Sequence, residues 1–153
     1  MTGNRLHLPS LIAMVVSCAF LVSFIPTLTA QSTGTCSLTV RVTGIRNTEG
    51  NIRVVLRRDR DTIVEAREVA IDAKTLTAQT VFDKLAEGTY GVAVMHDENK
   101  NGKLDMNEMG MPLEGYGHSN NPAQRMGPPS FDETKFAISH PGSSIEIRLI
   151  YWM

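Results

Sequence analysis

From Cys36 the chain alternates at period two: Leu38, Val40 and Val42 are apolar, while Ser37, Thr39, Arg41 and Thr43 are polar. Such alternation predicts a strand with one buried face. Asn47-Thr48-Glu49-Gly50 supplies turn chemistry, and Ile52, Val54 and Leu56 resume the alternation, so these two segments are expected to form a hairpin. Arg57–Asp61 reads as a charged, solvated loop. Ile63–Ile71 is expected to be a strand, since Val69 and Ile71 alternate with Glu68, Ala70 and Asp72, although Val64–Glu68 also suits a helix. Thr75–Phe82 alternates through Leu76, Ala78, Thr80 and Phe82, and Asp83–Gly88 turns the chain into a strand carrying Tyr90, Val92 and Val94. Near the end, Lys135–Ser139 and Ser144–Tyr151 are expected to close the fold as a pair joined at His140-Pro141-Gly142. Seven short strands with almost no helical pattern predict an all-β protein, an antiparallel β-sandwich.

The exception to this regularity is the stretch 97–133, which is dense in Asn, Gly and Pro and has no hydrophobic period. A compact domain seldom carries so long a loop unless it is functional or pinned. Its apolar residues include Tyr116, Pro128, Pro129, Phe131 and the methionines at 106, 109, 111 and 126. They are expected to fold back as a lid over one end of the sandwich, or to offer a partner an adaptable apolar surface.

At the N-terminus, Arg5 and His7 precede an apolar run from Leu8 to Ile25, followed by Pro26-Thr27-Leu28-Thr29-Ala30. A charged start, an apolar middle and a small-residue exit predict a secretory signal peptide over 1–30, cut after Ala30. The run is short and broken by Ser17, Ser23 and Pro26, which disfavours a retained anchor. The expected product is a single domain, 31–153, secreted or periplasmic, that meets a membrane only during export. Cys18 leaves with the signal, so Cys36 stands alone and the fold must hold without an internal disulfide. Removing Arg5 moves the net charge only from −1 to −2, and no basic stripe interleaved with aromatics is present, so a nucleic-acid partner is not expected.

Within the loop, Asp97-Glu98-Asn99-Lys100-Asn101-Gly102-Lys103-Leu104-Asp105-Met106-Asn107-Glu108 fits the twelve-residue calcium template. Asp97, Asn99, Asn101, the Lys103 carbonyl, Asp105 and Glu108 would supply the six or more oxygens a hard cation requires, and Gly102 permits the bend. The flanks are wrong for an EF-hand sensor, because a strand precedes the loop and Met109-Gly110-Met111-Pro112 follows it. Two readings stay open: a structural Ca²⁺ site, or a turn whose Asn and Asp side chains bond the local backbone. Glu114, Tyr116, Ser119, Asn120 and Asn121 form a second polar cluster, expected to present a ligand or partner surface. His96 and His118 are the candidates for acid–base catalysis, but Ser119 lies in no recognisable nucleophile motif. Zinc would require His96, His118 and His140 to converge, and no ligand spacing supports that.

The segments HDENKNGKLD, GMPLEGYGHSNN and GPPSF, set between CSLTVRVTGIRNTEG and the closing strands, resemble the bacterial secreted family catalogued as domain of unknown function 2141. The resemblance covers nearly all of the chain after the signal. It implies an immunoglobulin-like or prealbumin-like sandwich exported across the inner membrane, and it brings no activity with it. The family signature falls on His96, Asp97, Asn99, Asn101, Gly102, Asp105, Gly110, Pro112, Glu114–Gly117 and Ser119–Asn121, and continues through Gly127–Phe131. Larger apolar residues are usual in the family near Glu108 and at His118, so those two positions depart from it.

The expected function is that of a non-enzymatic exported module using the 97–131 loop to bind an unknown protein, glycan or small ligand, with Ca²⁺ as the one cofactor to consider. Two alternatives stand beside it. A small hydrolase or lyase would use His96 or His118 with a carboxylate, and would need an imidazole within reach of Asp97 or Glu114 and of open space. A structural subunit of an envelope assembly would associate through edge strands, which Arg41, Arg53 and Arg57–Asp61 act against.

Overall fold

The computed structural model describes residues 35–152, so the signal-peptide segment 1–30 and Cys18 lie outside the described residues. Eight strands follow in order: β1 (Cys36–Thr43), β2 (Asn51–Arg57), β3 (Ile63–Val69), β4 (Ala78–Leu85), β5 (Gly88–Asp97), β6 (Tyr116–His118), β7 (Phe136–Ile138) and β8 (Gly142–Arg148). A single four-residue helix, α1 (Phe131–Thr134), precedes β7. One sheet has three strands in the order β4-β1-β8, and the other has five in the order β3-β2-β5-β6, with β7 also paired to β5. The all-β sandwich read from the sequence is therefore the fold, with eight strands in place of seven.

The core lies between the two sheets. Leu38, Val40 and Val42 of β1, Phe82 of β4 and Ile147 of β8 meet Ile52, Val54 and Leu56 of β2 and Tyr90 and Val92 of β5, and all of these are buried. Burial of each such side chain contributes about 1.5–3 kcal/mol. Cys36 is buried in the same core, and burial, with the Glu87 charge behind it, pushes its thiol pKa up.

Three pairings differ from the sequence expectation. β1 and β2 are not a hairpin: β1 pairs with β4 and β8, and β2 with β3 and β5. Their alternating faces pack against each other across the interior, with Ile45 buried in the crossing between them. The last two segments do not pair with one another either. β7 joins β5, and β8 runs parallel to β1 with Val40 opposite Ile145, so the sandwich is not wholly antiparallel. The segment 97–133 is interrupted by β6, which adds to the second half of β5, with Met95 opposite Tyr116 and Ala93 opposite His118. Period-two patterning states which face of a strand is buried; it carries no information on which neighbour lies at its edge.

Candidate functional site

The outer face of the five-stranded sheet carries the side chains that alternate with the core. These are Arg53, Val55 and Arg57 on β2, Ala93 and Met95 on β5, and Tyr116 and His118 on β6. The long loop returns across this face rather than over one end of the sandwich, where the lid was expected. Leu104, Met106, Met111 and Pro112 form one wall and Arg125–Pro128 the other, with Trp152 closing the floor. The cleft so enclosed has a volume of about 340 Å³, within the range of small-ligand sites. Arg57, His118, Arg125 and Pro128 also border a second, larger cleft of about 600 Å³ toward Ser130 and Phe131.

Local hydrogen bonding holds the loop over the sheet. Asp97 is 2 % exposed, and its carboxylate accepts the backbone N–H groups of Asn101 (2.9 Å) and Gly102 (2.7 Å). Asn99 and Asn101 turn inward, donating from their amides to the Asp105 carboxylate at 2.6 Å and 2.9 Å. Residues 105–113 then form a small hairpin of their own. Met106 bridges Pro112, Leu113 N–H bonds Asp105 O at 2.8 Å, and Asn107 Oδ1 accepts the N–H of Met111 at 2.9 Å. Glu108 sits at the exposed tip of that hairpin.

Of the template residues, Asp97, Asn99, Asn101 and Asp105 are therefore brought together, with the oxygens of Asp97, Asn99 and Asn101 accepting local backbone N–H groups, while the hairpin carries Glu108 outward. Lys103 stays in the loop, where its N–H bonds Asn101 Oδ1 at 2.8 Å. Without Glu108 the template residues that remain at the loop's base are Asp97, Asn99, Asn101, Lys103 and Asp105. Among the described residues no group of three or more His, Cys, Asp or Glu side chains is placed to hold a metal ion.

Glu114 and Ser119 are not on the surface, where the sequence placed them. Glu114 is 4 % exposed and braces both ends of the loop: Oε1 accepts Glu98 N–H at 2.9 Å and Oε2 accepts Asp105 N–H at 3.1 Å. Ser119 is fully buried and completes the ladder of β5 between β6 and β7. Its N–H bonds Val92 O at 2.9 Å, its Oγ accepts Val92 N–H at 2.9 Å, and its hydroxyl donates to Thr134 O. Asn120 and Asn121 are exposed but committed as staples, Asn120 to the carbonyls of Glu133 and Lys135, Asn121 to the backbone of Glu146 and Arg148. Tyr116 alone of this cluster opens on the cleft, with its hydroxyl accepting from Trp152 Nε1 at 2.9 Å.

The two histidines sit in different surroundings. His96 is fully buried, with Nε2 2.7 Å from the Glu49 carbonyl and Nδ1 2.8 Å from the Tyr151 hydroxyl. A carbonyl only accepts, so Nε2 carries a proton and donates to Glu49, while Nδ1 faces both the Tyr151 hydroxyl and, at 3.4 Å, Glu98 Oε1. Tyr151 in turn lies under Arg46, whose fork binds Glu98 at 2.6 and 2.8 Å and holds that carboxyl below its usual range. This network ties strand β5, the β1–β2 crossing and the chain's end beneath the loop. His118 faces the cleft, and burial and the neighbouring Arg57 charge bring its pKa down to about 4. Tyr116 lies edge-on to it, at 6.3 Å between ring centroids.

Sequence reading missed the sheet's contribution to the site. Val55 and Met95 are apolar at positions that alternation sends outward, and that was the available signal that the outer face is covered. Arg53, Arg57, Arg125 and Trp152 carried no motif.

A family model described as "Uncharacterized protein conserved in bacteria (DUF2141)" matches residues 40–146. No curated protein and no solved structure matches the chain.

Proposed function

Since the chain belongs to the bacterial DUF2141 family, described as uncharacterised, we propose from its own surfaces that it is a non-enzymatic binding module that takes a small apolar ligand between sheet and loop. The observation that carries this reading is the cleft of about 340 Å³ walled by Met95, Met106, Met111 and Met126. Methionine walls adapt to irregular apolar shapes, and a rigid sheet floor limits the ordering cost of binding. Met106 and Met126, at the rim, are 50 % and 74 % exposed, apolar surface that a soluble domain seldom leaves uncovered without use. Export is part of the proposal: a protein N-terminus at Gln31 in the periplasmic or secreted fraction is the expected result.

The test uses a neutral apolar dye such as Nile red, with Ala93→Trp to fill the floor. Saturable binding at one dye per chain, lost in the variant while the melting temperature is kept, is expected. Absence of saturable binding, or binding equal in the two proteins, refutes the reading.

A second reading is favoured by the convergence of Asp97, Asn99, Asn101 and Asp105 at the loop's base: a weakly held calcium ion that stabilises the loop. A ligand selective for the native state must raise stability, so millimolar calcium should raise the melting temperature above that in chelator. Superimposable melts remove the ion.

A further inference from the structure

The cleft has a charge character as well as an apolar one. Arg53, Arg57 and Arg125 line it and no Asp or Glu does, in a chain whose net charge is −1. Two of the three arginines have carboxylate partners elsewhere: Arg125 binds Glu133, and Arg53 lies 3.8 Å from Glu68. Arg57 is different. Its Nη1 donates to the Arg60 carbonyl at 3.0 Å, its Nε is buried without a partner, and no salt bridge to it exists among the described residues. Arg57 therefore brings to the cleft a guanidinium whose charge no carboxylate offsets, and an anion placed against it gains a charge-assisted bond.

Asp59 and Asp61 border the second cleft together with Arg57 and do not line this one. His118, across Ala93 from Val55, is neutral at pH 7 because burial and Arg57 itself oppose its protonation. A neutral imidazole can donate one hydrogen bond to a carboxylate. At the far end of the same face the rings of Tyr116 and Trp152, joined by the Nε1–hydroxyl bond, offer an apolar wall. From Arg57 to Arg53 the floor runs four strand residues, about 13 Å at the usual rise, and between these ends lie Val55, Ala93 and Met95.

We propose that the ligand is an elongated apolar molecule with one terminal carboxylate, its head on Arg57 and its tail along Val55, Ala93 and Met95 under the methionines. This rests on the binding-module reading and adds to it the ligand's class and orientation. An apolar molecule without the anion would leave the Arg57 charge without a counter-charge. A short anion without the tail would leave the methionine walls uncovered.

The experiment titrates the protein with dodecanoate, dodecanol and acetate, following the fluorescence of Trp152, the chain's one tryptophan, which lines the cleft. Dodecanoate should saturate the signal with an affinity about ten- to a hundredfold above that of dodecanol, the span of one charge-assisted hydrogen bond, and acetate should give none. Arg57→Met, which keeps the apolar stem, should bring dodecanoate down to dodecanol. Equal affinities for dodecanoate and dodecanol in the unmodified protein overturn the carboxylate assignment and leave the apolar cleft standing. Saturation by acetate assigns an anion site without a tail and overturns it as well. No saturable change with either long-chain probe removes this inference together with the binding-module reading. The comparison of probes on the unmodified protein decides the question even where Arg57→Met does not fold.

Discussion

Glu114 is the side chain on which the position of the loop most directly depends, and Glu114→Gln isolates the reason. The carboxylate has two acceptor oxygens, and both are used, toward Glu98 N–H at 2.9 Å and Asp105 N–H at 3.1 Å. A carboxamide is nearly the same shape but has one acceptor and one donor group, so its NH₂ must face one of the two backbone N–H groups. One charge-assisted bond, worth about 1.5–3 kcal/mol, is lost, and a part-buried N–H is left unpaired. Relief of the buried charge offsets part of this, which brings the expected loss to about 2 kcal/mol for Gln and about 3 kcal/mol for Glu114→Ala. Against a typical total of roughly 5–15 kcal/mol such losses are measurable. Urea unfolding should show the lower midpoint with an unchanged slope. Amide exchange should show the loss of protection concentrated at Glu98 and Asp105, with Val40 in β1 little affected. A Gln variant within about 0.5 kcal/mol of the parent, or unchanged exchange at those two amides, would refute the reasoning.

Three further outcomes follow from the geometry. His118 has a folded pKa of about 4 against 6.5 for the free side chain. Between those values the unfolded chain binds more protons, so this group's contribution is complete above pH 6.5 and is lost as pH falls toward 4. His118→Gln should flatten that part of the stability–pH curve relative to the parent, and parallel curves would contradict the assignment. Gly115→Ala should destabilise the domain by about 2 kcal/mol or more in thermal melts, because the added Cβ would lie 2.4 Å from the Tyr151 ring that holds His96 and Arg46; an unchanged melting temperature would mean the ring moves aside freely. Ser119→Ala orphans Val92 N–H and the Thr134 carbonyl in a fully buried place, a loss of about 2 kcal/mol that urea unfolding would register and that an unaltered midpoint would disprove.

Much of the architecture was legible in the chain because burial imposes period two on a strand wherever one of its faces meets a core. The buried sets of β1, β2 and β5 are the residues whose alternation announces them, and the apolar outliers Val55 and Met95 announce a second covered face. The loop's turn chemistry was legible for the same reason of locality: Asp97, Asn99, Asn101 and Gly102 bond partners at most six residues away.

Partnership between distant segments was not legible. Nothing local to β1 states that it will lie parallel to β8, and nothing local to Ser119 states that Val92 and Thr134 will close around its hydroxyl. Glu114 and Ser119 look like surface residues in sequence because polarity there reports only that a polar partner is needed, water or backbone alike. Only the tertiary structure supplies the backbone partners and removes the water. The cleft is the extreme case: its floor comes from β2, β5 and β6, its walls from two parts of the loop and its back from Trp152. Composition along the chain sets the chemistry of each of these pieces, and the stacking of the sheets decides that they face one another.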